Sequence, residues 1–245
     1  MSVPIAVERL ALSNDRFRAV LTVLALFVAS MAAMVAAGTA IDRGLAWSPL
    51  VFDSTVRMAL AMSIGEVLAL GVIAVGYLGL AGPPVSLAWP ARREAWLVVG
   101  AAIFVTAGAL VQRAVAGELD PDTTSMGAEL LRSAPLSYAA IAVLGSVFAP
   151  IVEEFLFRGA IQGRLRTVTG PGGAIAGASL LFVPLHLSVR PGSILVAVLG
   201  ATAIGLTSIV FGVAYERTAN LAVPIVIHAV SNSVVFVIVA GRALL

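Results

Sequence analysis

The sequence predicts an all-α fold, a polytopic transmembrane helix bundle of about seven to eight membrane helices. Three observations predict it. Of 245 residues, 60% are hydrophobic and 11% are charged, where an ordinary soluble domain is about a quarter charged. The apolar residues come in runs of roughly 20, the length at which a helix crosses the hydrocarbon core. Short connectors carrying arginine, glycine and proline separate the runs. The expected location is therefore the cell membrane, as an integral multi-pass protein whose first partner is the lipid bilayer.

Composition also excludes. There is no cysteine, which removes a thiol nucleophile, a disulfide framework and a thiolate metal site. The formal charge is +2, all of the basic residues are arginine, and no basic run is long enough for nucleic acid. The first 18 residues, with Ser13-Asn14-Asp15-Arg16, are too polar for a cleavable signal peptide.

Residues 1–18 carry Arg9, Arg16 and Arg18 and read as a cytoplasmic tail or interfacial helix. Residues 19–245 read as a single transmembrane domain. The first span is expected at 19–41, with Trp47 near one interface. The second, 58–81, ends at Gly82-Pro83-Pro84 and holds one acid, Glu66. Glu66 is expected to pair with a polar group of a neighbouring helix, and a part in substrate handling is the alternative. Arg92-Arg93-Glu94 precedes a third span at 95–112. Residues 113–132 form an acidic loop with Glu118, Asp120, Asp122 and Glu129. The fourth span runs from Ser133 to Gly163, the fifth over 167–189 behind Gly170-Pro171-Gly172-Gly173. Arg190-Pro191-Gly192 predicts a tight turn into the sixth, 193–215, and the seventh is 219–241. A surface helix in 1–18 or 113–132 would be an eighth. Arginine placement favours a cytoplasmic N-terminus. Arg9, Arg16, Arg18, Arg92, Arg93, Arg164, Arg166 and Arg217 then fall inside; Arg43, Arg57, Arg113, Arg132, Arg190 and Arg242 fall outside.

The fourth span contains the exception to its own apolarity. Glu153, Glu154 and Arg158 lie within six residues, and a charge at bilayer depth costs at least a few kcal/mol, which makes it a functional-site candidate. The chain has two histidines, His186 in the fifth span and His228 in the seventh. Counted from the predicted inner boundary, Glu153, His186 and His228 lie at depths of ~13–21 Å, one slab of the bilayer. Glu154 and Arg158 are four apart and can pair, leaving Glu153 about 100° round the helix to face something else. His228 and Asn232 share a face, as do Phe182 and His186. Pro150 and Pro184 remove backbone donors just ahead of the polar residues and can open the helices there. A buried structural ion network is the plainer reading of the acids and arginine, and helix-to-helix hydrogen bonding is the plainer reading of a lone His or Asn.

At these residues the sequence resembles the CPBP family of intramembrane proteases. That family includes CAAX-processing prenyl-protein endopeptidases of the Rce1 type and bacterial relatives linked to bacteriocin self-immunity. Its E-E-x-x-x-R part matches Glu153 to Arg158, its F-x-x-x-H part Phe182 to His186, and its H-x-x-x-N/D part His228 to Asn232. The resemblance covers about 136–241, which makes that stretch the expected catalytic core. It implies an intramembrane peptidase whose substrate is a membrane-associated protein or peptide, of the prenylated CAAX type in part of the family. Nothing in this sequence reads prenyl groups. Glu153 with His186 would activate a water. His228 and Asn232 would hold the oxyanion. Glu154, Arg158 and Phe182 would support them. No cofactor is implied.

Rival readings remain at this stage. His186, His228 and a Glu could bind Zn²⁺, although no H-E-x-x-H is present. Gly177-Ala178-Ser179-Leu180 faintly resembles a serine-protease motif of the rhomboid kind. A non-enzymatic immunity factor, scaffold or proton-relaying transporter is the alternative from another class, and the paired halves expected of a transporter are not seen.

Overall fold

The structure is a computed structural model that describes residues 5–48, 53–119, 129–186 and 194–244. The turn expected at Arg190-Pro191-Gly192 and the acids Asp120 and Asp122 lie outside the described residues. Among the described residues all regular structure is helical. Six helices are long and apolar enough to cross a membrane. They are α1 (Ile5–Ala46), α2 (Ser54–Leu80), α3 (Ala95–Leu119), α4 (Pro135–His186), α5 (Ile194–Thr218) and α6 (Ala222–Leu244). The chain is thus an all-α integral membrane protein.

Several boundaries differ from those expected of the sequence: α3 runs on to Leu119, so Arg113 and Glu118 are helical and not in a loop, and α1 runs on to Ala46. α1 runs 42 residues without a break at residue 18, so the polar stretch from Ile5 is helical and continuous with the first span. The fourth and fifth spans are one 52-residue stretch, and the helix continues through Arg164 and Arg166. Its single non-helical residue is Gly170, at φ 74° and ψ 179°. That backbone geometry suits glycine, and Pro171 just after it is pre-set to start a helix. The two arms fold back on each other there. Phe157 meets Phe182 edge-on at 4.9 Å, and Leu165 approaches Gly177. Divided at Gly170, the six helices become seven rods, the number of spans expected.

The core lies where α4 is gripped by its neighbours. Leu70 and Ala74 of α2 pack with Leu156, Phe157 and Ile161 of the first arm and with Ala174, Ala178 and Phe182 of the second. A second cluster joins Ala102 and Val105 of α3 to Phe211 of α5 and Val223 and Ile227 of α6. α1 crosses α2 at glycines: a Cβ on Gly65 would stand 2.5 Å from the backbone nitrogen of Gly38. Small residues permit such backbone approach, the usual means of packing helices in lipid. Outward faces are apolar and open, as at Val28, Val72, Phe104 and Leu180. Trp47, Trp89 and Trp96 are exposed beside helix ends, where interfacial tryptophans sit.

The ends are tied by polar groups. Asp53 caps α2 by accepting from the Thr55 N–H at 2.8 Å, a bond that holds its carboxyl below the ordinary range. At the opposite end Asn220 exchanges two hydrogen bonds with the backbone of Ala88, fixing the 81–94 connector under the start of α6.

Candidate active site

The Glu153-Glu154 pair sits on one short α-helical piece, Ala149–Glu154. π-helical stretches flank it, Leu144–Phe148 before and Phe155–Gln162 after. Wide turns of this kind are rare and recur at functional sites. They reorient neighbouring side chains without ending the helix. Pro150, which can kink its helix, stands at the start of this α-helical piece, directly after the first π-helical stretch. Pro184 stands inside the second arm, two residues before His186.

The two glutamates meet different surroundings. Glu154 is fully buried, and its Oε1 accepts from Arg158 Nη1 at 2.9 Å and from His228 Nδ1 at 3.0 Å. Arg158 Nη2 donates onward to the carbonyl and Oγ of Ser208 at 2.9 and 2.7 Å. Its guanidinium lies between the rings of Phe182 and Phe211, 4.7 and 5.2 Å from their centroids. Planar, weakly hydrated guanidinium suits such a slot. His228 stacks on Phe211 at 4.7 Å. Glu154 and Arg158 were expected only to support the helix; in the structure Glu154 also holds a histidine through its Nδ1.

Glu153 turns the other way. Its Oε2 is buried without a hydrogen-bond partner and stands 3.6 Å from His186 Nε2. The Phe182 carbonyl accepts from His186 Nδ1 at 3.2 Å. A carbonyl cannot donate, so Nδ1 carries a hydrogen, and the ring when neutral presents a lone pair at Nε2. In that form His186 shows Glu153 an acceptor.

Two adjoining cavities share these walls. The larger, about 400 Å³, is lined by Glu66, Arg113, Glu153, His186 and Asn232 among others. The smaller, about 150 Å³, is lined by Phe182, His186, Phe211, His228 and Asn232 among others. His186, Asn232 and Gln112 of α3 belong to both. The structure thus brings together all four residues singled out in the sequence: Glu153, His186, His228 and Asn232. Asn232 carries a bond the sequence did not suggest. Its Nδ2 donates to the Gly145 carbonyl at 2.8 Å, in the first π-helical stretch, so one of its two amide hydrogens is engaged.

A polar ladder extends from the site toward one end of the bundle. Arg158 bonds Ser208, Gln162 bonds Gly212 and Glu216, and Arg166 bonds Glu216. Partners advance together by four residues, so the first arm of α4 and α5 run parallel. Half of this was visible: Glu154, Arg158, Gln162 and Arg166 form a four-residue stripe in the sequence. Ser208 and Phe211 carry no local signal of any kind.

The other readings of the residues can be placed as well. Among the described residues no group of three His, Asp or Glu side chains is arranged to hold a metal ion. Ser179 is buried with an unpartnered Oγ and lines neither cavity.

The fold and this cluster define a class: a polytopic membrane protein with a buried acid, a buried histidine and a half-buried one around a cavity between its helices. Residues 135–234 match the Rce1-like family, described as type II CAAX prenyl endopeptidase Rce1-like. That match supports assignment to the CPBP/CAAX proteases, and with it an intramembrane endopeptidase of the CAAX type. No curated protein and no solved structure matched the chain.

Proposed function

We propose that the chain hydrolyses a peptide bond of a membrane-associated protein, using Glu153 and His186 to activate a water and His228 and Asn232 to hold the oxyanion. The observation that carries this is the approach of Glu153 Oε2 to His186 Nε2, 3.6 Å apart on a cavity wall. Both atoms are acceptors, and a water donating a hydrogen to each would turn its own lone pair outward. General-base assistance of this kind contributes typically 10²–10⁴-fold.

Attack forms a bond from the water oxygen to the scissile carbonyl carbon, and the water proton passes to the Glu153–His186 pair. The carbonyl oxygen becomes an oxyanion. Asn232 has one amide hydrogen left to offer it. His228 already donates Nδ1–H to Glu154, so it donates from Nε2 as the doubly protonated ring, bound to that carboxylate. Collapse breaks the C–N bond, and the proton held by the pair goes to the leaving amine. No step requires a metal. The orientation proposed from arginine placement, with the N-terminus inside, puts the Gly170 bend on the cytoplasmic side.

The test uses purified wild type and Glu153→Gln with matching monodisperse profiles. Each is incubated with transmembrane and prenylated peptides, with and without a chelator, and products are read by mass spectrometry. Cleavage by wild type alone, indifferent to chelator, is the expected result and identifies the bond. Cleavage abolished by chelator would replace the glutamate mechanism with zinc chemistry. Cleavage retained by Glu153→Gln would remove the acid from the reaction.

A further inference from the structure

α2 lies outside the matched segment, yet it delivers an acid to the same cavity. Glu66 is the thirteenth of 27 residues in α2, near the middle of a spanning helix. It shares a helix face with Ala69 and Leu70, which pack against the first arm of α4. The Gly38–Gly65 crossing fixes the adjacent turn against α1. Glu66 and Glu153 both line the 400 Å³ cavity, beside the place where α2 packs on the Ala149–Glu154 piece and a Cβ on Gly71 would stand 3.2 Å from Val152 Cγ1. Among the described residues Glu66 forms no ion pair.

Two carboxyl groups cannot hydrogen-bond as two anions, because each is then an acceptor only. A hydrogen bond between them therefore needs one shared proton. Like charges on the wall of one cavity disfavour double ionisation in any case, the principle behind acid dyads. The other charged groups nearby do not supply a substitute: Arg158 is committed to Glu154 and Ser208, His228 to Glu154, and His186 offers a lone pair. Arg113 lies on the wall of the same cavity without an ion pair among the described residues.

We propose that Glu66 is a positioning residue for Glu153, sharing one proton with it and so holding the Glu153 carboxyl turned toward His186. The proposal rests on the peptidase reading for its consequence in catalysis, while the shared proton stands independently of it. It makes the first third of the chain part of the site rather than a scaffold around it.

Infrared difference spectroscopy of the protein in lipid reads protonated carboxyl groups directly. Wild type is compared with Glu66→Gln and Glu153→Gln, and Glu66→Leu gives the same reading should the glutamine variant misfold. Either single substitution is expected to remove the same protonated-carboxyl band, since each deletes one half of the pair. A band that survives at Glu66→Gln and Glu66→Leu would show that Glu153 holds its proton unaided and would overturn the proposal, as would no band in wild type. Cleavage assays on the same variants should show kcat down on the order of 10²-fold with KM unchanged, the cost of a misaimed catalytic group. Should peptides be cleaved while the band survives in the Glu66 variants, the pair fails and the peptidase stands. Should the band vanish as expected while no peptide is cleaved, the pair stands and the peptidase fails.

Discussion

Glu153 and Glu154 are neighbours in sequence and both are buried beside a histidine, yet what holds each of them differs. Glu154, like Glu153, has a buried Oε2 without a hydrogen-bond partner, but its Oε1 is doubly held. It receives a guanidinium and an imidazole, and the guanidinium is in turn sandwiched by two phenyl rings and bonded to Ser208. Glu153 keeps an oxygen without a partner beside a histidine lone pair and a cavity. A buried carboxylate bonded to a guanidinium is anchored; one that lines a cavity with an unpartnered oxygen is held at a cost that an entering reactant can relieve. One helical step of about 100° separates the two environments, and π-helical turns on either side give the backbone room to present both. Adjacent acids therefore divide into a stabilised anchor and a reactive group.

Substitutions can break that contrast. Arg158→Met keeps a stem between Phe182 and Phe211 but leaves Glu154 with His228 alone. Removing one partner of a buried pair typically costs about 3–5 kcal/mol, so a large drop in melting temperature in detergent is expected. Glu153→Gln should do the reverse: peptide cleavage lost, melting temperature held or raised. If both variants melt alike, the division between anchor and reactive acid is wrong. Next in size is Asn232→Ala. Loss of one oxyanion donor costs about 10²–10³ in kcat, and KM should stay near wild type because the interaction strengthens only as charge develops. A KM effect with unchanged kcat would instead make Asn232 a packing residue that binds Gly145.

The sequence showed most of the bundle and the site's polar residues, because the signals there are strong. Apolar runs of spanning length need no tertiary information, and three charges inside one run stand out against it. Four-residue spacing was enough to pair Glu154 with Arg158. What stayed hidden has physical reasons. The join of the fourth and fifth spans depends on the backbone of Gly170; Arg164 and Arg166 looked like a loop, yet one lies on a ladder to Glu216. Ser208 and Phe211 are ordinary members of an apolar span until Arg158 lands on them. The Gly145 carbonyl that takes an Asn232 hydrogen belongs to a π-helical stretch, a local geometry without a sequence signature here. Glu66 was visible as an intramembrane acid, and only the packing of α2 on α4 gave it Glu153 as a neighbour.

The ladder itself sharpens the comparison at its weak end. Its three rungs use similar chemistry at different depths. Arg158 and Ser208 are fully buried, while Arg166 is about half exposed where it meets Glu216 Oε2 at 3.1 Å. Water competes for the outer pair and salt screens it, so such contacts contribute about 0–1 kcal/mol. Arg166→Ala should therefore barely move the melting temperature and leave kcat unchanged, and what effect there is should shrink as salt rises. Gln162 gives a reason to expect even less, since it also bonds Glu216 and keeps that carboxylate tied to α4 when Arg166 is gone. A loss comparable to that of Arg158→Met would mean that the rungs act as one cooperative network. Depth in the bundle would then no longer be what separates anchor from ornament along this face of α4.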